Sequence, residues 1–147
     1  MSITYSSKKE FQPHQVFDLY ESVGWTAYTK DLPKLLRALE KSPLLISAWD
    51  GEELVGLIRA LTDGETIAYI QDILVKPAYQ GKGIGDELMS RLLKELTCIR
   101  QIALMTDAGA ANSRLHAWYE SHGFTSYESI GVSGFAIFTN GDIEPNH

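Results

Sequence analysis

Apolar residues recur along the chain with two different periods, and these predict where helices and strands form. A spacing of three to four residues predicts one helix over residues 14–23, ended by Gly24. A second helix is predicted to begin after Asp31 and to stop before Pro43. The segment between them, residues 24–29, is aromatic and is predicted to be a loop. Two helices therefore precede the main sheet.

Shorter apolar runs bounded by turn residues predict the sheet. The turns Asp50-Gly51-Glu52 and Asp63-Gly64 divide a meander of three strands. The strands are predicted at residues 3–5, 44–49, 53–61, 66–75 and 101–106, with two last strands at 126–131 and 134–139.

The remaining helices lie in the second half of the chain. One follows a glycine-rich run and extends to about Leu96, and a short one over residues 113–122 is ended by Gly123. The longer helix is predicted to bury Ile84, Leu88, Leu92 and Leu96 on one face. The order β-α-α-β-β-β-α-β-α-β-β predicts one domain over residues 1–140, and a frayed tail over residues 141–147.

The glycine run is Gln80-Gly81-Lys82-Gly83-Ile84-Gly85, between an apolar strand and a helix. Alternate glycines let the backbone approach a ligand with its N–H groups turned inward, and the helix adds the positive end of its dipole. The expected ligand is a phosphate, and a turn without a ligand is the alternative. A P-loop is disfavoured because no hydroxyl residue follows Lys82, and a dinucleotide-binding loop because Gly85 continues into Asp86 without the required spacing.

The remaining pattern, Gln/Arg-x-x-Gly-x-Gly/Ala, resembles the pyrophosphate-binding motif of the GCN5-related N-acetyltransferase (GNAT) superfamily. Residues 112–124, Asn-Ser-Arg-Leu-His-Ala-Trp-Tyr-Glu-Ser-His-Gly-Phe, are similar to that superfamily's Asn-x-x-Ala-x-x-Phe/Leu-Tyr-Glu-Lys-x-Gly-Phe motif. Leu115 departs from the small alanine, and Ser121-His122 from the Lys-x step. The resemblance covers roughly residues 44–138. It implies the α/β (α+β) acyl-CoA N-acyltransferase fold, a mixed central sheet with about four flanking helices.

Composition and charge narrow the cellular setting and the partners. The chain has 147 residues, is 44% hydrophobic, and has neither an apolar run long enough to span a membrane nor the apolar core of a signal peptide, so a cytoplasmic location is expected. Cys98 is the only cysteine and is expected to be buried and inert. The four histidines show no metal-site spacing.

A net charge of −6 disfavours nucleic acid and favours cationic amines. We predict a small-molecule amine partner, no membrane or metal, and a homodimer as one assembly.

The resemblance implies acetyl-CoA as co-substrate. Its pyrophosphate would bind the loop amides, and its pantetheine arm would pair with the preceding strand as another strand would. These roles are assigned to Gln80, Gly81, Lys82, Gly83, Ile84, Gly85 and Asp86 in the loop and to Ile73, Leu74 and Val75 in the strand. Asn112 either contacts pantetheine or caps the helix that begins at Ser113.

The catalytic roles are assigned to Tyr119 and Asp72. Tyr119 matches the position of the superfamily's general acid, and its ordinary pKa of about 10 keeps it protonated at pH 7, ready to protonate the thiolate. The alternative is a core tyrosine. Strict alternation puts Gln71 on the pantetheine face and Asp72 on the opposite face, but a β-bulge, frequent in this superfamily, would bring Asp72 to the site as the base. The alternatives are a water oriented by Gln71 and an Asp72 carboxylate satisfied by Arg59 or by backbone N–H groups.

The acceptor site is assigned to Trp25, Tyr28, Tyr69 and Gln71, although aromatic residues near strands also form cores. Gly24-Trp25 and residues 56–63 and 72–81 are locally similar to the plant serotonin-type arylalkylamine branch of the superfamily. That similarity implies a small aryl or alkyl amine as acceptor. The predicted reaction is direct transfer to a primary amine. A non-catalytic acyl-CoA-binding module and a protein N-terminal or lysine acetyltransferase are the alternatives.

Overall fold

The computed structural model describes residues 2–139. The chain divides into two compact units, one that ends at Met105 and one that begins at Thr106. None of the described helices is both long and apolar enough to cross a membrane. The predicted frayed tail at residues 141–147 lies outside the described residues.

The first unit contains five strands and four helices among its described residues. In chain order these are β1 (Ile3–Ser6), α1 (Pro13–Ser22), α2 (Thr26–Thr29), α3 (Leu32–Glu40), β2 (Leu44–Asp50), β3 (Glu53–Thr62), β4 (Ile67–Val75), a 3₁₀ turn (Pro77–Tyr79), α4 (Ile84–Glu95) and β5 (Gln101–Leu104). The strands form one sheet in the order β1-β2-β3-β4-β5, antiparallel up to β4, with β5 parallel to β4. The mixed central sheet predicted from the motifs is confirmed.

The helices before the sheet begin where the sequence predicted, but they number three. Asp31 caps α3 by accepting a hydrogen bond from the backbone N–H of Lys34 at 3.3 Å. The segment predicted to be an aromatic loop instead contains α2, a single turn that the N–H of Lys30 closes onto the carbonyl of Thr26 at 3.0 Å. A helix of one turn is too short to produce a periodic apolar pattern, which is why the prediction missed it.

The core of the first unit lies between α1–α3 and one face of the sheet. It consists of Val16, Leu19, Tyr20, Trp25, Leu35, Leu39, Leu45, Leu54, Leu57 and Leu74. Helix α4 packs on the opposite face of β3. A Cβ at Gly56 would lie 3.3 Å from side-chain atoms of both Ile84 and Leu88. Close packing at Gly56 therefore fixes the N-terminal end of α4 against the sheet.

The α4 prediction is confirmed, whereas the prediction for the residue just beyond the helix is wrong. Ile84, Leu88, Leu92 and Leu96 are all buried. Cys98, expected to be buried, is exposed in the connection between α4 and β5.

The second unit contains a 3₁₀ turn (Ala110–Asn112), α5 (Ser113–Ser121) and a second 3₁₀ turn (Glu128–Ile130). The predicted helix over residues 113–122 is confirmed, but the two strands predicted at residues 126–131 and 134–139 are wrong. Residues 126–131 instead form a local turn, in which Ser129 bonds the hydroxyl and carbonyl of Ser126 at 3.3 and 2.8 Å. Such local side-chain bonds compete with strand pairing. Phe135, in the segment that follows, is 97% exposed.

Candidate active site

One edge of β4 is unpaired over its second half. β4 pairs with β3 as far as Val75, but its last pair with β5 joins Ile70 to Leu104. Within the described residues, the edge of β4 that faces β5 therefore makes no ladder pairs from Gln71 onward. An unpaired strand edge offers N–H and C=O groups to an extended ligand, which fits the pantetheine role predicted for this strand.

Of the three strand residues assigned to pantetheine, Leu74 can contribute only its backbone. Its side chain is 4% exposed and lies in the core between the sheet and α1–α3. Ile73 and Val75 are half-buried. The Val75 carbonyl accepts a hydrogen bond from the side-chain amide of Gln80 at 2.9 Å, so the first residue of the glycine run is tied to the end of the strand.

The bulge predicted for β4 is present. Arg59 on β3 lies opposite Asp72, but the next β3 residue, Ala60, lies opposite Ile70. Gln71 is therefore an extra residue on β4, and the alternation of side chains changes at that point.

The bulge changes only part of the assignment of faces made by strict alternation, because Asp72 still shares a face with Leu74 and lies on the opposite face from Ile73. Ile58 and Ala60 share one face of β3, so their partners Ile73 and Ile70 share a face as well. Asp72 consequently lies on the opposite face from Ile70, not on the same one. Gln71 and Asp72 both contact the hydroxyl of Tyr28, so the bulge directs two neighbouring side chains to one place.

The glycine run has the backbone geometry of an anion-binding loop. Gly81 and Gly83 have φ angles of +76° and +84°, and a Cβ at either residue would meet nothing within 4 Å. Gly83 is the N-cap of α4 and supplies no side-chain hydrogen bond. The open backbone surface and a helix N-terminus without a side-chain cap fit a pyrophosphate group. Acetyl-CoA would supply the reactive acetyl thioester to this site.

Tyr79 anchors the turn that precedes the glycine run. Its hydroxyl lies 2.6 Å from Oδ2 of Asp50, the last residue of β2, and 3.3 Å from Oε1 of Glu53, the first residue of β3. The hydrogen bond to Asp50 and some desolvation raise the pKa of Tyr79 to about 12. Lys76 adds an ion pair with Glu53 at 2.9 Å. These bonds hold the entrance of the loop to the β2–β3 hairpin.

A buried polar cluster lies under α1 and α2, on the face of the sheet opposite α4. We call it the Arg59 cluster, and its members are Tyr20, Tyr28, Ser42, Arg59, Gln71 and Asp72. Asp72 is its centre: its Oδ2 accepts hydrogen bonds from Arg59 Nε at 2.5 Å and from the Tyr20 hydroxyl at 3.0 Å. Its Oδ1 accepts one from the Tyr28 hydroxyl at 2.8 Å. Both carboxylate oxygens are therefore engaged inside the protein.

Arg59 links the cluster to the end of α3 and to Tyr28. Its Nη1 lies 3.3 Å from the Ser42 hydroxyl, and its Nη2 donates to the Tyr28 hydroxyl at 3.1 Å. The guanidinium carbon also lies 5.7 Å from the centre of the Tyr28 ring, which is within range of a cation–π interaction.

The cluster keeps its phenols protonated and its guanidinium charged. Burial, reinforced by the charge of Asp72, raises the pKa of Tyr28 to about 12 and that of Tyr20 well above its ordinary value. Burial alone would lower the pKa of Arg59, but the charge of Asp72 outweighs it and raises that pKa. The charges of Arg59 and Asp72 cancel, so the cluster is neutral as a whole.

The geometry favours the alternative in which Asp72 is satisfied by Arg59 over the role of general base. Asp72 is 1% exposed, and a proton arriving on it would displace a hydrogen bond from Arg59 or from a tyrosine. The proton of an amine would more readily reach water.

The four residues assigned to the acceptor lie in different surroundings. Trp25 is 9% exposed, with its ring centre 5.9 Å from that of Tyr20 and 6.4 Å from that of Tyr28, so its side chain belongs to the core. Tyr69 is half-buried, and burial raises its pKa while a hydrogen bond with the Met105 backbone opposes that effect. Only Tyr28 and Gln71 are brought together, by their 3.1 Å hydrogen bond.

The second unit holds the other residues assigned from the motifs. Burial raises the pKa of Tyr119, which keeps its phenol protonated, and a hydrogen bond with Thr106 opposes part of that rise. Asn112 does not cap α5 with its side chain, which instead donates to the carbonyl of Ala108 at 2.9 Å. The capping explanation for Asn112 is therefore wrong. Among the described residues, no group of three or more His, Cys, Asp or Glu side chains is placed to hold a metal ion.

Comparison with known proteins decides the family. The model of the acetyltransferase (GNAT) family matches residues 9–124. The chain belongs to the GNAT family. A solved structure of a GNAT-family acetyltransferase from Streptococcus pneumoniae TIGR4 superposes on this GNAT acetyltransferase with a TM-score of 0.80, at 32% identity, over 94% of this chain and 98% of the other.

Two relatives show how broad the family similarity is. The uncharacterised N-acetyltransferase ycf52 of Porphyra purpurea is 32% identical over an alignment of 133 positions that covers 88% of this chain and 73% of that protein. Histone acetyltransferase TAP1 of Glycine max is 30% identical over an alignment of 153 positions that covers 94% of this chain and 62% of that protein. The family uses acetyl-CoA, and the chain is an acetyl-CoA-dependent acetyltransferase.

Sequence reasoning missed three residues that shape the site. Tyr20 occupies an apolar position of α1 and resembles an ordinary core residue, although its hydroxyl bonds a carboxylate 52 positions away. Ser42 and Tyr79 gave no signal beyond their positions beside predicted turns. Arg59 is one of the two partners that the sequence predicts for Asp72, and the structure contains that pair.

Proposed function

We propose that this GNAT acetyltransferase transfers the acetyl group of acetyl-CoA directly to a small primary amine, of the aryl or alkyl class. One observation carries the co-substrate half of the proposal: the unpaired edge of β4 leads directly into a loop with two left-handed glycines and the N-terminus of α4. An extended chain that ends in a pyrophosphate fits such a path. A cytoplasmic location is part of the proposal and rests on the sequence prediction.

In the proposed reaction, each group has one task. Backbone groups of β4 and the glycine run hold the co-substrate, which orients the thioester for attack. The neutral amine attacks the thioester carbonyl carbon, a C–N bond forms, and the C–S bond breaks. The surplus proton of the amine passes to water, and the Tyr119 phenol protonates the leaving thiolate. The raised pKa of Tyr119 supports this role because the phenol stays protonated at neutral pH.

Two features support a small amine as acceptor. The net charge of −6 attracts cationic amines. Tyr28 and Gln71 meet beside the start of the unpaired strand edge, which supports an acceptor position next to these polar groups. Trp25 is 9% exposed, so the preference for an aryl head is supported by Tyr28 and by the local branch similarity.

A protein lysine is the second candidate acceptor. It is favoured by the similarity to the histone acetyltransferase TAP1 of Glycine max, whose name states a protein substrate. Lysine side chains and small amines present the same nucleophile, so the two candidates differ in what surrounds the amine.

A panel assay tests the proposal. Release of CoA thiol would be measured with tryptamine-like amines, alkyl polyamines, aminoglycosides and a lysine peptide, alongside calorimetric titration of CoA. We expect micromolar-range CoA binding and the highest kcat/KM with a small amine. Faster turnover of the peptide would transfer the assignment to the second candidate, and CoA binding without acceptor-dependent release would indicate a non-catalytic module.

Mass spectrometry tests whether the transfer is direct. After mixing with acetyl-CoA alone, the protein should keep its unmodified mass. A stoichiometric acetyl group on a side chain would replace the direct mechanism with a covalent one, and exposed Cys98 would be the first residue to substitute by serine.

A further inference from the structure

We propose that the side-chain oxygen of Gln71 holds an N–H group of the incoming amine and so orients its lone pair toward the thioester. This inference rests on the proposed function, and it names the residue that positions the acceptor. The hydrogen-bond directions in the Arg59 cluster determine where that oxygen is free to bind.

Both tyrosines of the Arg59 cluster direct their hydroxyl protons to Asp72. Asp72, as the anionic partner of Arg59, can only accept hydrogen bonds. Tyr20 and Tyr28 lie 3.0 and 2.8 Å from its two oxygens, so each phenol donates its single proton to the carboxylate. The Tyr28 oxygen is thereby left with acceptor capacity only.

The second step fixes the orientation of the Gln71 amide. Arg59 Nη2 and the Gln71 side chain each lie 3.1 Å from the Tyr28 oxygen. Because the proton of Tyr28 is already committed to Asp72, the Gln71 amide must present its Nε2 to Tyr28 and not its oxygen. A glutamine amide is planar, so its Oε1 is then directed away from Tyr28.

The third step is the location of that oxygen. Gln71 is the extra residue of the β4 bulge and the first residue of the unpaired strand edge. Its side chain is half-buried, and its Oε1 accepts no hydrogen bond from any of residues 2–139. A fixed acceptor therefore stands where the proposed pantetheine path begins.

An amide oxygen in this place suits a primary amine. It binds an N–H group of either the neutral amine or the ammonium ion, and it does not take the proton itself. The Arg59 cluster contributes no net charge, so Gln71 Oε1 binds the amine through a hydrogen bond alone. One N–H of the amine binds Gln71, the lone pair attacks the thioester carbon, and the proton released as the C–N bond forms passes to water.

Gln71→Leu tests the inference, because it removes the acceptor while keeping the size of the side chain similar. We expect kcat/KM for the preferred amine to fall about 10- to 100-fold, mainly through KM, with unchanged CoA affinity. Tyr28→Phe should lower kcat/KM less, because the Gln71 amide stays present but loses the hydrogen bond that fixes its orientation. If the two side chains act as one unit, the double variant should be no slower than Gln71→Leu.

Tyr20→Phe is the matched control. It deletes a second phenol from the same carboxylate, but within residues 2–139 no hydrogen bond joins Tyr20 to Gln71, so the amine KM should rise far less than in Gln71→Leu. Calorimetric binding of the amine to the enzyme–CoA complex should show the same order of effects without turnover. If the wild type turns over amines but Gln71→Leu has wild-type KM, the inference alone is wrong. If the wild type acetylates no amine, the proposed function is wrong as well.

Discussion

The Nε atom of Arg59 lies 2.5 Å from Oδ2 of Asp72, and the two residues face each other across β3 and β4 at the bulge. Arg59 is 5% exposed and Asp72 is 1% exposed, so both charges have lost nearly all of their hydration. A buried pair of this kind is costly to break, because removal of one partner leaves the other charged and uncompensated. The pair therefore stabilises the register that places Gln71 outside the regular alternation.

Asp72→Asn separates a structural role from a catalytic one. It should lower the free energy of unfolding by about 3–5 kcal/mol, because Arg59 then keeps a buried charge without its anionic partner. Urea denaturation at pH 7 measures this. Arg59→Met combined with Asp72→Leu should recover much of the loss. Unchanged unfolding free energy together with loss of turnover would instead restore Asp72 as the base.

Alkaline pH should weaken the fold through the cluster tyrosines. The pKa of Tyr28 is raised to about 12, above the ordinary value near 10 that it takes in the unfolded chain. Its contribution is therefore complete below pH 10 and is lost as the pH rises through 12. Urea denaturation between pH 9 and 12 should show the free energy of unfolding falling less steeply in Tyr28→Phe than in the wild type. Parallel curves would contradict this assignment.

The local features of this fold were predictable, and the long-range ones were not. The α4 helix, the glycine run and the Asp31 cap depend on residues a few positions apart, and the structure contains each of them. The Arg59 cluster joins Tyr20 and Asp72 across 52 positions, and nothing in the helical spacing around Tyr20 indicates a polar partner.

The errors have equally physical causes. Alternating apolar residues near Phe135 favour a strand. A strand also needs a neighbouring strand to pair with, and the sequence pattern does not tell whether that pairing forms. The bulge at Gln71 is a second cause of error. One extra residue reverses the face of every later side chain on β4 relative to the residues before it. The resemblance to the GNAT motifs predicted the bulge, whereas alternation alone wrongly put Asp72 on the face of Ile70.

Gly83→Glu should abolish CoA binding and leave a folded protein. The substitution puts a carboxylate at the N-terminus of α4, where the pyrophosphate is proposed to bind, and the open space around the Cβ position lets the side chain fit. The φ of +84° adds backbone strain of about 1–2 kcal/mol. Calorimetric titration of CoA measures the loss.

Gly51→Glu is the matched control for that variant. Gly51 also has a left-handed backbone, with a φ of +61°, and open space around its Cβ position, but it lies in the β2–β3 turn. Both variants should lose similar stability, and only Gly83→Glu should lose CoA affinity. Equal CoA affinities in the two would remove the assignment of the glycine run.

Tyr119→Phe should lower kcat while CoA affinity changes little, because the variant removes a proton donor and keeps the ring. We expect a fall of about 10²-fold if proton transfer to the thiolate limits turnover. The raised pKa of Tyr119 keeps the wild-type phenol protonated between pH 7 and 9, so wild-type turnover should not lose its acid in that range. Equal turnover of the two proteins over that range would show that the thiolate takes its proton from water.

Trp25→Ala distinguishes a core residue from a wall of the acceptor site. The Trp25 ring is 9% exposed and packs against Tyr20 and Tyr28, so its removal leaves a cavity beside α1. In Trp25→Ala the free energy of unfolding should fall by about 3–5 kcal/mol. In Trp25→Phe it should fall less, because part of the ring volume is kept. At a temperature where Trp25→Phe is folded, its ratio of kcat/KM for aryl over alkyl amines should match the wild type. A selective loss for aryl amines, with stability preserved, would place Trp25 in contact with the acceptor and restore the aromatic pocket predicted from sequence.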